Sequence, residues 1–192
     1  MVMTERDADD AAGREPTALS LREYDSRDAD AVWRLHELAF EDLETDPDDI
    51  PGTDDLRNVE GAYIESGGGF LVGTVPSAAA APEVPRVHDG ALVAMGGFLP
   101  GDAGHDDERR VAGAAELHRM RVAPSCQRCG YGRRLLRALE DAVREAGYDP
   151  VLATTARRQR AAVEFYASEG YAMVGESAEG DYELVHFEKE LG

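Results

Sequence analysis

Apolar residues recur along this chain in two rhythms, and the switches between them mark its elements. From Thr17 the run ALSLREY alternates apolar with polar positions, which predicts a strand. Asp25 or Ser26 then caps a helix, whose apolar positions Ala29, Val32, Trp33, Leu35, Leu38, Ala39 and Leu43 follow helical spacing until Pro47 and Pro51 stop it. Residues 53–66 predict a second helix, with Leu56, Val59 and Tyr63 facing inward and Gly67, Gly68 and Gly69 closing it. Strands are expected at 70–75, 91–99 and 115–122; the stretches between them are rich in Pro, Gly and charge, so neighbouring strands are most simply antiparallel. A loop over 123–130 leads into a strongly amphipathic helix through Leu135, Leu136, Leu139 and Val143, ending at Gly147. A strand at 151–154, a helix over about 158–169 with Gly170 as its C-cap, and strands at 171–175 and 182–188 complete the chain. The order β-α-α-β-β-β-α-β-α-β-β, with no internal repeat, implies an α+β fold: one mixed, mainly antiparallel sheet with helices on both faces.

The length of 192 residues suits a single domain over 17–192, preceded by a polar, charged segment at 1–16 that holds too little apolar content to order itself. No apolar run approaches the roughly eighteen residues of a membrane span, and the N-terminus lacks the basic start and apolar stretch of a secretory signal. A cytoplasmic protein without membrane contacts is expected. With 39 acidic against 20 basic residues the net charge is −19, and the overall field repels phosphate, which disfavours nucleic acid as a partner. Lys189 is the only lysine. Acid excess with so little lysine suits a halophilic protein, because salt near 1 M shrinks the Debye length to about 3 Å and screens the carboxylates from one another. Cys126 and Cys129 form a C-x-x-C pair with no nearby histidine, too few ligands for structural zinc; no other metal-ligand spacing occurs, and a redox pair remains the competing reading.

Against this acidic background the window 119–137 holds six arginines, Arg119, Arg121, Arg128, Arg133, Arg134 and Arg137, and no acid at all. An anionic ligand is expected there. Within it lies Gln127-Arg128-Cys129-Gly130-Tyr131-Gly132, between a predicted strand and a helix N-terminus, where glycines allow close backbone approach and free amides favour phosphate. A tight structural turn would explain the two glycines equally well. The spacing fits neither a dinucleotide fingerprint nor a Walker loop.

The run ELHRMRVAPSCQRCGYGRRLL, residues 116–136, resembles the acetyl-CoA motif of the GNAT superfamily of acyl-CoA N-acyltransferases. A second resemblance lies downstream, where Gln159, Ala162, Val163, Phe165, Tyr166, Gly170 and Tyr171 follow the family's helix pattern, with Gln159 standing in place of Asn. The resemblance implies a GNAT-type fold and acetyl transfer from acetyl-CoA to a primary amine, carried by a small molecule or a peptide, through direct attack in a ternary complex. It implies that the backbone of Met120 and Val122 binds the pantetheine arm, with Arg121 between them. Gln127, Arg128, Cys129, Gly130, Tyr131, Gly132 and Arg133 would hold the pyrophosphate, and Gln159 would add a hydrogen bond. Tyr166 takes the place of the acid that protonates the leaving thiolate.

Glu116, six residues before Val122, is the first candidate for general base and His118 the second; period-two alternation puts Glu116, His118 and Met120 on one face. A solvated edge carboxylate and a packed histidine are the bland alternative, and Tyr166 could equally be a core tyrosine on a well-buried helix. Trp33 and His36 either border the acceptor pocket or belong to the core. A non-catalytic acyl-CoA-binding module of the same fold is the competing function. Acceptor identity is unmarked in the sequence, and homodimerisation stays open.

Overall fold

The computed structural model describes residues 18–40, 53–102, 109–179 and 182–192. Its strands are β1 (Ser20–Glu23), β2 (Gly69–Val75), β3 (Arg86–Val87), β4 (Gly90–Pro100), β5 (Ala115–Val122), β6 (Val151–Ala156), β7 (Ala172–Glu179) and β8 (Tyr182–Lys189). They form one sheet in the order β1-β2-β4-β5-β6-β8-β7, with β3 added to β4. Every pairing is antiparallel except that of β5 with β6. Among the described residues three α-helices, α1 (Ala29–Phe40), α2 (Tyr131–Glu145) and α3 (Arg160–Ser168), complete the mixed α+β architecture.

Helix α1 starts from a reciprocal cap. The Asp25 carboxylate accepts the amide of Arg27, and the Asp28 carboxylate accepts the amide of Asp25 at 3.0 Å, so donors with no partner in the first turn are satisfied. Asp28 is fully buried, and Arg22 of β1 holds both of its oxygens at 2.6 and 2.9 Å. Helix α2 buries Leu135, Leu136, Leu139 and Val143, the stripe its periodicity foretold. It is tied to β8 and to Tyr171 through Glu140, whose carboxylate accepts from Lys189 Nζ at 2.8 Å and Tyr171 Oη at 3.0 Å.

Adjacent Gly96 and Gly97 on β4 mark the two layers of the core. A Cβ on Gly96 would press on Leu139 and the Met120 sulfur, whereas one on Gly97 would lie 2.7 Å from Phe70 and 2.8 Å from Tyr63. Helix α2 therefore covers one face of the sheet, and the segment carrying Tyr63 covers the other.

Several expected boundaries shift. Residues 53–66 are not one helix but a 3₁₀ turn, Thr53–Arg57, followed by a π-helical turn, Glu60–Ile64. The break falls at Asn58, whose side-chain oxygen accepts the Gly61 amide at 3.3 Å and competes with regular helical bonding. Strand β3 is too short to show a period. Strand β6 runs on to Ala156 and β7 to Glu179, beyond the apolar residues that suggested them. Leu43, Pro47 and Pro51, and the segment 1–16, lie outside the described residues.

Candidate active site

Two parallel strands part in the middle of the sheet. Strand β5 pairs with β6 at only three positions, Ala115 with Val151, Glu116 with Leu152 and Leu117 with Ala153. Beyond them Thr154, Thr155 and Ala156 pair with β8 alone, while β5 continues along β4. The amide of Ala123 donates to Val93 O at 2.8 Å, so by strand alternation Met120 and Val122 turn their backbone groups away from β4, toward the opening. This is a strand edge able to take a strand-like ligand.

A bulge shapes that edge. The β4–β5 register slips between Met95 and Gly97, and Arg119 opposite adopts a positive φ of 54°. The extra residue reverses the phase of the side chains. His118 meets the Tyr63 ring edge-on at 6.0 Å, on the face away from α2, whereas the Met120 sulfur lies with Leu135 and Leu139 on the α2 face. The expected common face of Glu116, His118 and Met120 is thus corrected: Met120 is on the other side, because strict period two does not survive the bulge.

Arg119 owes its place to a buried cluster that local sequence patterns do not reveal. Its Nε lies 2.9 and 3.1 Å from the two oxygens of Asp55, and Tyr63 Oη donates to the same carboxylate at 2.6 Å. The side chains of Arg119 and Asp55 are only 11% and 9% exposed. Burial together with the Asp55 charge pushes the Tyr63 phenol well above its usual range. Asp55→Ala would leave a guanidinium and a phenol buried without their acceptor. Chemical denaturation should then show a loss of about 3–5 kcal/mol, the range for a broken buried pair; a change below about 1 kcal/mol would show that the cluster holds nothing in place.

Glu116, His118 and Tyr166 are all buried, at 1%, 5% and 7% exposure. Tyr166 packs its ring against Tyr171 and Phe187, with centroids 5.4 and 5.6 Å apart. Its hydroxyl is pushed well above the ordinary phenol range, first by burial and then by the Glu116 charge, while Arg121 acts in the opposite direction. Tyr166, Glu116 and Arg121 therefore share one electrostatic neighbourhood. Tyr166 is the only fully buried residue of α3. Ala162, Val163 and Phe165 are merely half-buried, so the expectation of a well-buried helix is corrected. Arg121 lies with its guanidinium 5.0 Å from the Phe40 ring on α1, and burial followed by the Arg119 charge pulls its pKa down to about 10.

On the α2 face the chain builds a different feature. Pro124–Cys126 forms a 3₁₀ turn, Arg128 has φ 63°, and Gly130, the N-cap of α2, sits at φ 81°, a conformation that favours glycine. The first helical bond runs from the Arg134 amide to Gly130 O at 3.1 Å, which leaves the amides of Gly132 and Arg133 without a carbonyl below them. Gln127, Arg128, Cys129 and Gly130 are exposed on the loop, and Gln127 Nε2 donates to Val122 O at 3.3 Å. Tyr131 turns its side chain into the core. Arg133 is exposed and donates to Glu169 at 2.5 Å, and Arg134 reaches Leu19 O at 2.7 Å. Gln159 stands at the N-cap of α3 and accepts from Thr155 Oγ1, on the parted half of β6, at 2.9 Å. Cys126 is buried, Cys129 exposed, and both are free thiols.

The arginine-rich window therefore serves two places. Arg128 and Arg133 flank the helix start, while Arg119 and Arg121 belong to the opposite face. Trp33 is half-buried on α1: its indole donates to Glu37 at 2.9 Å and Arg57 stacks on its ring at 3.6 Å, lining a surface groove of about 330 Å³. His36 is fully buried between Trp33 and Phe40.

Several solved structures share this architecture. A GNAT-family acetyltransferase from Staphylococcus aureus Mu50 superposes with a TM-score of 0.68 at 18% identity, over 91% of this chain and 100% of its own. The Salmonella typhimurium protein yncA, assigned as an acetyltransferase and solved with its cofactor acetyl-CoA, gives 0.65 at 20% identity, over 91% and 95%. A GCN5-related N-acetyltransferase from Kribbella flavida gives 0.62 at 18%, over 91% and 98%. No curated protein matches the chain. Residues 31–171 match the Acetyltransferase (GNAT) family, and with that span containing the parted strands, the bulge and the glycine-capped helix, the chain belongs to the GNAT family of acetyltransferases.

Proposed function

We propose that the chain is an N-acetyltransferase that uses acetyl-CoA to acetylate a primary amine by direct attack in a ternary complex. One observation carries the reading: the open edge of β5 runs between buried Glu116 and Tyr166 at one end and the amide-rich start of α2 at the other. Those residues fit the coenzyme. The backbone of Met120 and Val122 offers strand-type bonds to an amide-containing arm, and the first-turn amides of α2, with the helix dipole and Arg128 and Arg133 nearby, suit a pyrophosphate. Acetyl-CoA would bring an activated thioester.

In this reading Glu116 accepts the proton that the attacking amine releases, since only the neutral amine is nucleophilic. Tyr166 Oη holds a proton for the departing sulfur. With its pKa raised by burial and by Glu116, the phenol stays protonated across the neutral range, as a donor must. The buried rings of Tyr171 and Phe187 fix its orientation and keep water from it. Glu116→Gln should depress turnover most at low pH, where most acceptor is protonated, and least at high pH, where free amine abounds. Parallel pH profiles for variant and wild type would remove Glu116 from the role of base. The general test is acetyl-CoA turnover across amines, amino acids, polyamines and peptides.

We also propose that the protein works at high salt. The −19 charge repels itself once the Debye length grows to about 10 Å at 0.1 M, so the melting temperature should fall on dilution from molar salt. Equal or greater stability in dilute buffer would contradict this.

A further inference from the structure

Arg121 is a half-buried cation that makes no direct ion pair with a carboxylate among the described residues. Its Nε is sealed from solvent and has no hydrogen-bond partner. Its Nη1 donates to the carbonyl of neighbouring Met120 at 2.9 Å, and its guanidinium otherwise faces the Phe40 ring. Other arginines of the chain sit directly on carboxylates: Arg22 on Asp28 at 2.6 Å, Arg133 on Glu169 at 2.5 Å, and Arg119 on Asp55 at 2.9 Å. Asp55 lies within electrostatic reach of Arg121 but is already shared by Arg119 and Tyr63. Taking the Nε of a guanidinium out of water without a partner is costly.

The position of Arg121 selects among the anions that the two substrates carry. It lies on the Phe40 face of β5, whereas the glycine-capped start of α2 lies on the other, so the coenzyme phosphates are not its partner. It shares its field with Tyr166, beside the proposed reacting centre. The planar fork of a guanidinium matches a carboxylate. We propose that Arg121 anchors a carboxylate belonging to one of the two substrates. That carboxylate is carried either by the acceptor, an amine of the amino-acid type, or by the far end of the transferred acyl group, a dicarboxylic acyl-CoA. The proposal rests on the acetyltransferase reading above.

Calorimetry and steady-state kinetics on the full chain separate the two sources. One arm compares L-amino acids with their carboxamides as acceptors, with binding measured in the presence of CoA. The other compares succinyl-CoA with acetyl-CoA. In one arm the wild type should favour the carboxylate member by at least about thirtyfold, as for a charge-assisted pair. Arg121→Met should erase that preference while still binding acetyl-CoA, and Arg121→Lys, which keeps the charge without the fork, should restore it only in part. A wild type that binds acetyl-CoA yet shows no preference in either arm overturns the assignment, and so does a preference that survives Arg121→Met. If Arg121→Met fails to fold, an unchanged preference in Arg121→Lys overturns it equally. A wild type that ignores acetyl-CoA altogether removes the acetyltransferase reading itself, and this proposal with it.

Discussion

Gly132→Glu should abolish acetyl-CoA binding while leaving the empty protein as stable as before, or slightly more so. A Cβ at Gly132 would meet only ordinary contacts, Val122 at 3.7 Å and Phe165 at 3.8 Å, so the fold accommodates a side chain. A carboxylate in the first turn of α2 gains about 0.3–1 kcal/mol from the helix dipole. The same carboxylate would stand where the proposed pyrophosphate sits and repel it. A ligand at a hundred times its Kd adds about 2.7 kcal/mol to wild-type stability, and this increment should vanish in the variant. The opposite signs of the two effects distinguish a lost site from a damaged fold. A thermal shift by acetyl-CoA that survives in Gly132→Glu would place the phosphates elsewhere.

Tyr166→Phe should lower turnover by about tenfold to a thousandfold with acetyl-CoA affinity kept, the signature of a lost proton donor. The substitution retains the ring and its packing on Tyr171 and Phe187 and removes only the hydroxyl, so a loss of rate could not be assigned to unfolding. A wild-type rate in Tyr166→Phe with an established acceptor would make the residue structural.

The parts of this fold that local periodicity controls were legible in the sequence. The bounds of β5 coincide with its apolar alternation, and the buried stripe of α2 coincides with its helical one. The bulge at Arg119 shows in the sequence only as a slip in the alternation, Leu117 and Met120 standing three apart where Ala115 and Leu117 stand two, and a strict period-two reading passes over it; yet it decides that Met120 and His118 face opposite ways. The Asp55–Arg119 pair joins residues 64 apart in sequence, and only the folded sheet brings them together. The same cluster explains the broken helix over 53–66: Asp55 and Tyr63 serve β5 rather than a regular helical face. The arginine-rich window was visible as composition. Its division between the two faces of β5 was not, because the bulge sets it.

Calorimetric titration of acetyl-CoA into the wild-type chain, at 0.1 M and at molar salt, tests the central claim most directly. The arrangement of open strand edge and glycine-capped helix predicts one site per chain and saturable heat in at least one of the two salts. Absence of binding in both would contradict it.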